Sequence, residues 1–334
     1  MIISRTPFRL SLFGGGTDYP KWYRQHGGAV LGTTINKYCY ITVRELPPFF
    51  EHKHRIVYSR IELVREIDDI IHPAVRAVLK EHPMPNGIEI HHDGDLPARS
   101  GLGSSSSFTV GLLNALFALR GQMSSKRRLA DETLRIEQEV IGEAVGSQDQ
   151  IWAAYGGLGR INFNTDGSYD VEPVIMADAR KRELEESLLL CFTGISRYSV
   201  EVAKDKIANL EAKQNQLRTM RQMVDEAEAI LKSPKRPLAE IGKLLHDSWM
   251  LKRELAGSIT TNLIDEIYDG AMSAGALGGK VLGAGGGGFM AFFVPPEKRA
   301  AVCERLNKLI QVPFKIGSPG SRVIVYEPGG QVEE

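Results

Sequence analysis

Cysteine is scarce in this chain: Cys39, Cys191 and Cys303 are the only three in 334 residues. They lie far apart and share no metal-ligand spacing. That argues against a disulfide scaffold or a cysteine-built zinc module, and the sparse, odd set fits a reducing compartment. An excess of charge of either sign is also missing. Lys plus Arg total 41 and Asp plus Glu total 41, a formal net charge of zero, which removes the generic electrostatic case for binding nucleic acid or an anionic membrane. Long apolar runs are absent as well. Arg5 and Arg9 interrupt the N-terminal apolar stretch before the core of an export signal can form. The most apolar late segment, Val281 to Pro296, is filled with glycine and falls short of a membrane span. The expectation is a soluble, cytoplasmic protein with neither nucleic acid nor membrane as a partner. No internal repeat is visible either.

Hydrophobic residues make up 43% of the chain and charged residues 25%, enough apolar surface for a large core. A prior of roughly 100–200 residues per domain suggests two lobes. In the first half, β-branched and aromatic runs at Ile2–Ile3, Phe8–Phe13, Tyr38–Arg44, Arg55–Tyr58 and Gly87–His92 read as strands. Pro73–Lys80, Ser106–Leu119 and Leu129–Ile141 read as helices, the second apolar almost all round. Past Leu188–Phe192, read as a strand, the charged stretch Val200–Leu231 carries apolar residues at helical spacing and reads as two packed helices. Helices over Leu238–Leu255, Leu263–Ala274 and Glu297–Ile310 follow, with strands at Lys280–Leu282, Phe289–Val294 and Arg322–Tyr326. The order is mixed α+β, with lobes expected over 1–165 and 166–334.

Four segments carry candidate chemistry. In Pro7-Phe8-Arg9-Leu10-Ser11-Leu12-Phe13-Gly14-Gly15-Gly16-Thr17-Asp18, a strand runs into three glycines and then a carboxylate. Glycine lets a ligand approach the backbone, though a tight turn capped by Asp18 accounts for the same pattern. Gly101-Leu102-Gly103-Ser104-Ser105-Ser106-Ser107 opens the apolar helix. Backbone N–H groups there face outward at the positive end of the helix dipole and suit an anion, and serine hydroxyls suit a phosphate-bound Mg²⁺. The P-loop pattern and the dinucleotide glycine spacing are both absent. A third segment, Leu282-Gly283-Ala284-Gly285-Gly286-Gly287-Gly288-Phe289, sits between two strands and reads as a glycine hairpin or as a loop with a special backbone need. In the fourth, Glu137 to Gln150, Ser147 and Gln150 read as a capping box that places Asp149 in the first turn of a helix.

Taken together, these segments resemble in order and spacing the signature motifs of the small-molecule kinases named for galactokinase, homoserine kinase, mevalonate kinase and phosphomevalonate kinase. The resemblance spans nearly the whole chain. It implies a two-lobed α+β fold, with a ribosomal-protein-S5-like N-terminal lobe and a ferredoxin-like C-terminal lobe. It also implies an ATP- and Mg²⁺-dependent phosphotransferase acting on an alcohol group. On this resemblance Gly101, Leu102, Gly103, Ser104, Ser105 and Ser106 cradle ATP phosphates, with Gly285, Gly286 and Gly287 supporting the site from the other lobe. Ser105 and Glu137 hold the metal, with Glu139 the competitor for Glu137. Asp149 accepts or orients the proton of the attacking hydroxyl, and Arg9 offsets negative charge.

Galactokinases read Gly-Glu-His-Thr-Asp where this chain reads Gly14-Gly15-Gly16-Thr17-Asp18. Loss of that glutamate removes both a sugar-hydroxyl acceptor and a charge that disfavours an anionic substrate. The variant resembles the sugar 1-kinase branch that includes the heptose 7-phosphate kinases. That implies a sugar-phosphate substrate phosphorylated at its anomeric hydroxyl, with Gly16, Thr17 and Asp18 at the sugar. Ser196 and Arg197, after the Leu188–Phe192 strand, offer a hydroxyl and a guanidinium for the distal phosphate; a helix start with a solvated arginine reads equally from the residues alone. Lys37 and Lys280 are weaker candidates. A kinase of a free sugar and a non-catalytic ATP and sugar sensor remain the alternatives. Trp22, Trp152 and Trp249 read as core residues, and His52, His54, His91 and His92 carry no metal pattern.

Overall fold

The computed structural model describes residues 1–195 and 199–328. The chain opens with β1 (Ile2–Phe13), short α1 (Pro20–His26) and the 19-residue β2 (Gly28–Leu46). β1 and β2 are antiparallel, pairing Ile2 with Val43 and Leu10 with Thr33. The two runs expected as separate strands, Ile2–Ile3 and Phe8–Phe13, form one strand. Pro7 has no N–H to give, and the register shifts between Pro7 and Arg9 rather than breaking. Next come β3 (His54–Val57), β4 (Ile61–Val64), α2 (Pro73–Glu81), β5 (Gly87–Gly94) and α3 (Ser104–Leu119). α4 (Lys126–Arg135) then runs into a π-helical turn, Ile136–Val140, followed by α5 (Gln148–Tyr155), β6 (Leu158–Phe163) and β7 (Tyr169–Pro173). The single helix expected over Leu129–Ile141 therefore changes its winding at Ile136.

The second half holds α6 (Asp178–Ser187), β8 (Leu188–Phe192), α7 (Ser199–Asn209), α8 (Gln214–Lys232), α9 (Ala239–Arg253), α10 (Asn262–Ser273), β9 (Gly278–Val281) and β10 (Phe289–Phe293). It closes with α11 (Arg299–Arg305), β11 (Ile310–Gln311) and β12 (Arg322–Tyr326). The helix expected to reach Ile310 stops at Arg305, because Ile310 and Gln311 pair with Phe192 and Cys191 at the edge of β8.

Eight strands make the larger sheet, in the order β12-β1-β2-β5-β3-β4, with β6 and β7 branching from the first part of β2. α3 lies across β1 and β2. Every residue from Ser106 to Ala118 is buried, because sheet and helices enclose α3 on all sides. The smaller sheet has the order β11-β8-β10-β9, all antiparallel, with α9 packed on β9 and β10. Taken in chain order its strands stand fourth, first, third, second, as in a ferredoxin-like lobe. Residue 165 lies in the turn between β6 and β7, both strands of the larger sheet, and β12 returns from the second lobe to pair with β1. The lobes thus share chain instead of dividing at one residue.

Trp22, Trp152 and Trp249 are all core residues, and all three cysteines are free thiols. Among the described residues no group of histidine, cysteine, aspartate and glutamate is arranged as a multi-ligand metal centre, and no helix is long and apolar enough to cross a membrane.

Candidate active site

Arg9 on β1 and Asp149 in the first turn of α5 meet side-on. Nε donates to Oδ1 at 2.7 Å and Nη2 to Oδ2 at 2.7 Å. The guanidinium side chain is only 5% exposed and the carboxylate 27%, so Asp149 keeps access to solvent and Arg9 backs it. Nη1 of Arg9 donates to the Gly101 carbonyl, and the Arg9 amide to the Leu102 carbonyl at 3.0 Å. One strand residue therefore ties the acid to the serine loop.

The four serines that open α3 divide the work. Ser104 Oγ accepts the Arg99 amide at 3.1 Å, and Arg99 is the one described non-glycine residue with positive φ, +58°. Ser105 is exposed at the helix start. Ser106 Oγ donates to Glu137 Oε2 at 2.9 Å, and Ser107 Oγ to the Pro7 carbonyl at 2.9 Å. The N-terminal amides of this 16-residue helix are thus presented beside Ser105, where an anion is favoured.

Glu137 stands in the π-helical turn, a distortion common at functional positions. It is 1% exposed, and Oε2 accepts from Ser106 and from Gln150 Nε2 at 2.6 Å. Oε1 is buried with no partner. Burial, and then the nearby Glu143 charge, push this carboxyl up to about 7. A buried carboxylate with one oxygen unsatisfied, beside serine hydroxyls, fits a hard cation that brings its own phosphate and water ligands. Glu137 could hold such a cation through its free oxygen, with a serine hydroxyl of the loop beside it, and the cation would neutralise phosphate charge there. Glu139 is exposed two residues on. The expected capping box does not form. Ser147 makes no cap bond, its Oγ accepts Gln138 Nε2 at 3.0 Å, and Gln150 turns inward to Glu137.

The two glycine loops interlock. A Cβ at Gly101 would stand 2.5 Å from the Leu282 carbonyl, and one at Gly283 would stand 2.7 Å from Gly101 Cα. Side chains at either position would drive the loops apart. At the other end Gly288 donates to the Ile195 carbonyl at 2.8 Å, and Gly286 to the Ile259 carbonyl at 2.9 Å. The buried Lys252 Nζ donates to the Val281 and Gly283 carbonyls, each at 2.8 Å. Lys280, considered as a phosphate ligand, is buried and donates to the Leu12 carbonyl at 2.8 Å.

On the acceptor side Asp18 is buried, and its Oδ1 takes the Gly16 amide at 2.8 Å. Thr17, expected at the sugar, is fully buried. Its hydroxyl lies 2.9 Å from both the Gly14 and the Ala29 carbonyl, which share its one proton, and it accepts the Ala29 amide, so it closes the turn. Gly16 and Asp18 are buried as well, and Gly15 is the partly exposed residue of this turn. Ser196 and Arg197 lie outside the described residues. Lys252, Gln148 and Gln150 have site-shaping contacts that the sequence motifs did not announce; the capping pattern pointed Gln150 elsewhere, and nothing in the sequence set Lys252 apart.

Two family models match this chain, GHMP kinases N terminal domain over residues 69–157 and GHMP kinases C terminal over residues 227–311. A D-glycero-alpha-D-manno-heptose 7-phosphate kinase from Campylobacter jejuni is 30% identical over 320 residues, covering 92% of this chain and 93% of the relative. The chain is a GHMP kinase. A solved structure described as a D-glycero-D-manno-heptose 1-phosphate kinase from Bacteroides thetaiotaomicron matches with a TM-score of 0.79 at 25% identity, covering 98% of this chain and 100% of that one. A bifunctional fucokinase/GDP-fucose pyrophosphorylase from Arabidopsis thaliana is 25% identical over 93% of this chain, which spans 31% of that protein. As a GHMP kinase of this kind the protein is an ATP-dependent sugar kinase. Kinases of this family take phosphate from ATP, typically with Mg²⁺.

Phosphoryl transfer asks a protein for positioning and charge neutralisation more than for covalent chemistry. In this GHMP kinase, Arg9 keeps the Asp149 carboxylate in one orientation, and the serine loop it also ties down opens α3.

Proposed function

We propose that this kinase phosphorylates the anomeric hydroxyl of D-glycero-D-manno-heptose 7-phosphate, giving the 1,7-bisphosphate toward GDP-heptose for bacterial surface glycans. The observation that carries this reading is the near full-length likeness to the Campylobacter heptose 7-phosphate kinase. Gly15, where galactokinases place a glutamate, agrees with it, because a sugar phosphate meets no repelling carboxylate there. In this reading Ser105 and Glu137 hold Mg²⁺, Asp149 takes the anomeric proton, Asp18 and Gly16 hold the sugar, and Ser196 and Arg197 grip the 7-phosphate. The chain enters that last segment beside the glycine loop, since Ile195 accepts the Gly288 amide.

Phosphorus NMR of the product tests the reaction. An anomeric phosphate beside the retained 7-phosphate is expected, and phosphate on any other carbon contradicts the reading. Arg197→Ala tests the grip. Loss of a guanidinium–phosphate bond should raise KM for the sugar phosphate at least about tenfold, whereas an unchanged KM removes Arg197 from the pocket. A second reading, a kinase of an unphosphorylated sugar, draws on the likeness to the plant fucokinase chain. Turnover of free fucose in preference to the sugar phosphate would establish it.

A further inference from the structure

We propose that Gln148 is the positioning residue that sets acceptor affinity, by locking the sugar-holding carboxylate Asp18 in register with Asp149. The proposal rests on the sugar-kinase reading of the site and not on which sugar is used.

Three consecutive residues at the start of α5 reach back to the first motif. The Ser147 amide donates to the Asp18 carbonyl at 2.8 Å. Gln148 Nε2 donates to Asp18 Oδ2 at 2.9 Å, and Asp149 takes both bonds from Arg9. The residue that holds the acceptor and the residue that receives its proton are therefore fixed by neighbours in one turn. Only the Gln148 bond acts on the Asp18 carboxylate from that turn. The other carboxylate oxygen is held by Gly16 of its own loop.

The orientation of the amide follows from this contact. Turned over, Oε1 would face a carboxylate oxygen, acceptor against acceptor. Held as it is, Oε1 is buried without a partner. A methionine would fill the same space without a stranded acceptor, so packing alone does not account for a glutamine at this place. The amide nitrogen also lies beside Gly15. A Cβ on Gly15 would have nothing nearer than Gln148 Nε2 and Ser11 Oγ, both at 3.8 Å. A Cβ on Gly146 would stand 2.1 Å from Asp18 Oδ2, so the carboxylate fills the space that a side chain there would take, and the segment leading into α5 is shaped around it. Gln148 Nε2 thus reaches both the Asp18 carboxylate and the side of Gly15, the partly exposed glycine of the turn. A hydroxyl bound by Asp18 is presented at a constant distance from Asp149 only while this bond holds.

Two variants test it, using whichever acceptor the unaltered enzyme turns over, so that failure of the heptose 7-phosphate assignment is seen separately in the unaltered enzyme. Gln148→Met keeps the volume and removes the donor. The acceptor KM should rise about tenfold or more while KM for ATP stays within about twofold. Gln148→Glu sets a carboxyl against Asp18 that can donate only when protonated. Its acceptor KM should exceed that of the unaltered enzyme at neutral pH and move back toward it on acidification, relative to the unaltered enzyme at the same pH. An unchanged acceptor KM in Gln148→Met overturns the proposal. So does a parallel rise in both KM values, which marks a packing defect, and so does a Gln148→Glu profile that runs parallel to the unaltered enzyme.

Discussion

Asp149 keeps a partly exposed carboxylate while its two oxygens are already held by a buried arginine. That arrangement favours orientation of a hydroxyl over free mobility of the base. Asp149→Asn keeps the shape and loses the proton acceptor and the charge that Arg9 balances. Turnover should drop roughly a hundred- to ten-thousand-fold with a folded protein; near-normal kcat would remove Asp149 from the proton path. Glu137 makes a second test at this scale. Glu137→Gln retains an acceptor for Ser106 and Gln150 but discards the charge, so the Mg²⁺ concentration for half-maximal ADP release should rise about tenfold or more. A Mg²⁺ titration with an unchanged midpoint would point to Glu139 or to no carboxylate at all. Asp149, Arg9 and Glu137 were all legible as residue types within motifs. Which serine meets Glu137 was not, because Ser104, Ser105, Ser106 and Ser107 are indistinguishable in composition and differ only in the helical angle at which each hydroxyl leaves α3.

Among the elements, the interlocked loops make the sharpest prediction. Gly288 has φ +85°, and a Cβ there would lie 2.2 Å from the Ser100 carbonyl. Gly288→Ala should therefore destabilise the protein by at least about 2 kcal/mol, read as a lower thermal midpoint; an unchanged midpoint would mean the loops part freely. α2 carries a pH-dependent start. His72 accepts the Val75 amide at 3.4 Å and stacks on Phe108 with centroids 4.6 Å apart, with Glu62, His92 and Arg99 as its charged neighbours. Burial, chiefly, lowers its pKa from 6.5 to about 4. Because the folded pKa is depressed, its contribution is complete above 6.5 and is lost as pH falls from 6.5 toward 4. His72→Asn keeps a cap acceptor that does not titrate, so the unaltered protein should lose stability against this variant across that window; parallel stability curves would contradict it. Most strands and helices were readable from period and turn residues. The exceptions had causes outside the local pattern. β1 crosses Pro7 because β2 pairs along its whole length, α4 passes into a π turn from Ile136, and the helix expected to Ile310 gives way to an edge strand on β8.

For the whole molecule, the two lobes are bound by chain that crosses between them. β12 joins β1, Lys280 reaches the Leu12 carbonyl, and Phe289 donates to the Ser100 carbonyl at 3.0 Å. Composition and length suggested two lobes, but a return strand such as β12 leaves no local mark in sequence, since pairing partners more than 300 residues apart are set by the closed fold. The serine loop that opens α3 belongs to one lobe and the glycine loop that braces it to the other. Lys252→Met, far from any expected motif, should cost about 2 kcal/mol by leaving the Val281 and Gly283 carbonyls without their charged donor. It should also raise KM for ATP more than KM for the acceptor; equal effects on both would place the lysine outside the nucleotide half. Sugar-phosphate kinase activity at this site is measured by ADP release from Mg·ATP with heptose 7-phosphate, mannose 6-phosphate, free heptose, fucose and galactose. Turnover with heptose 7-phosphate above every other sugar, abolished in Asp149→Asn, is the predicted result, and turnover that prefers a free sugar or survives in Asp149→Asn would contradict it.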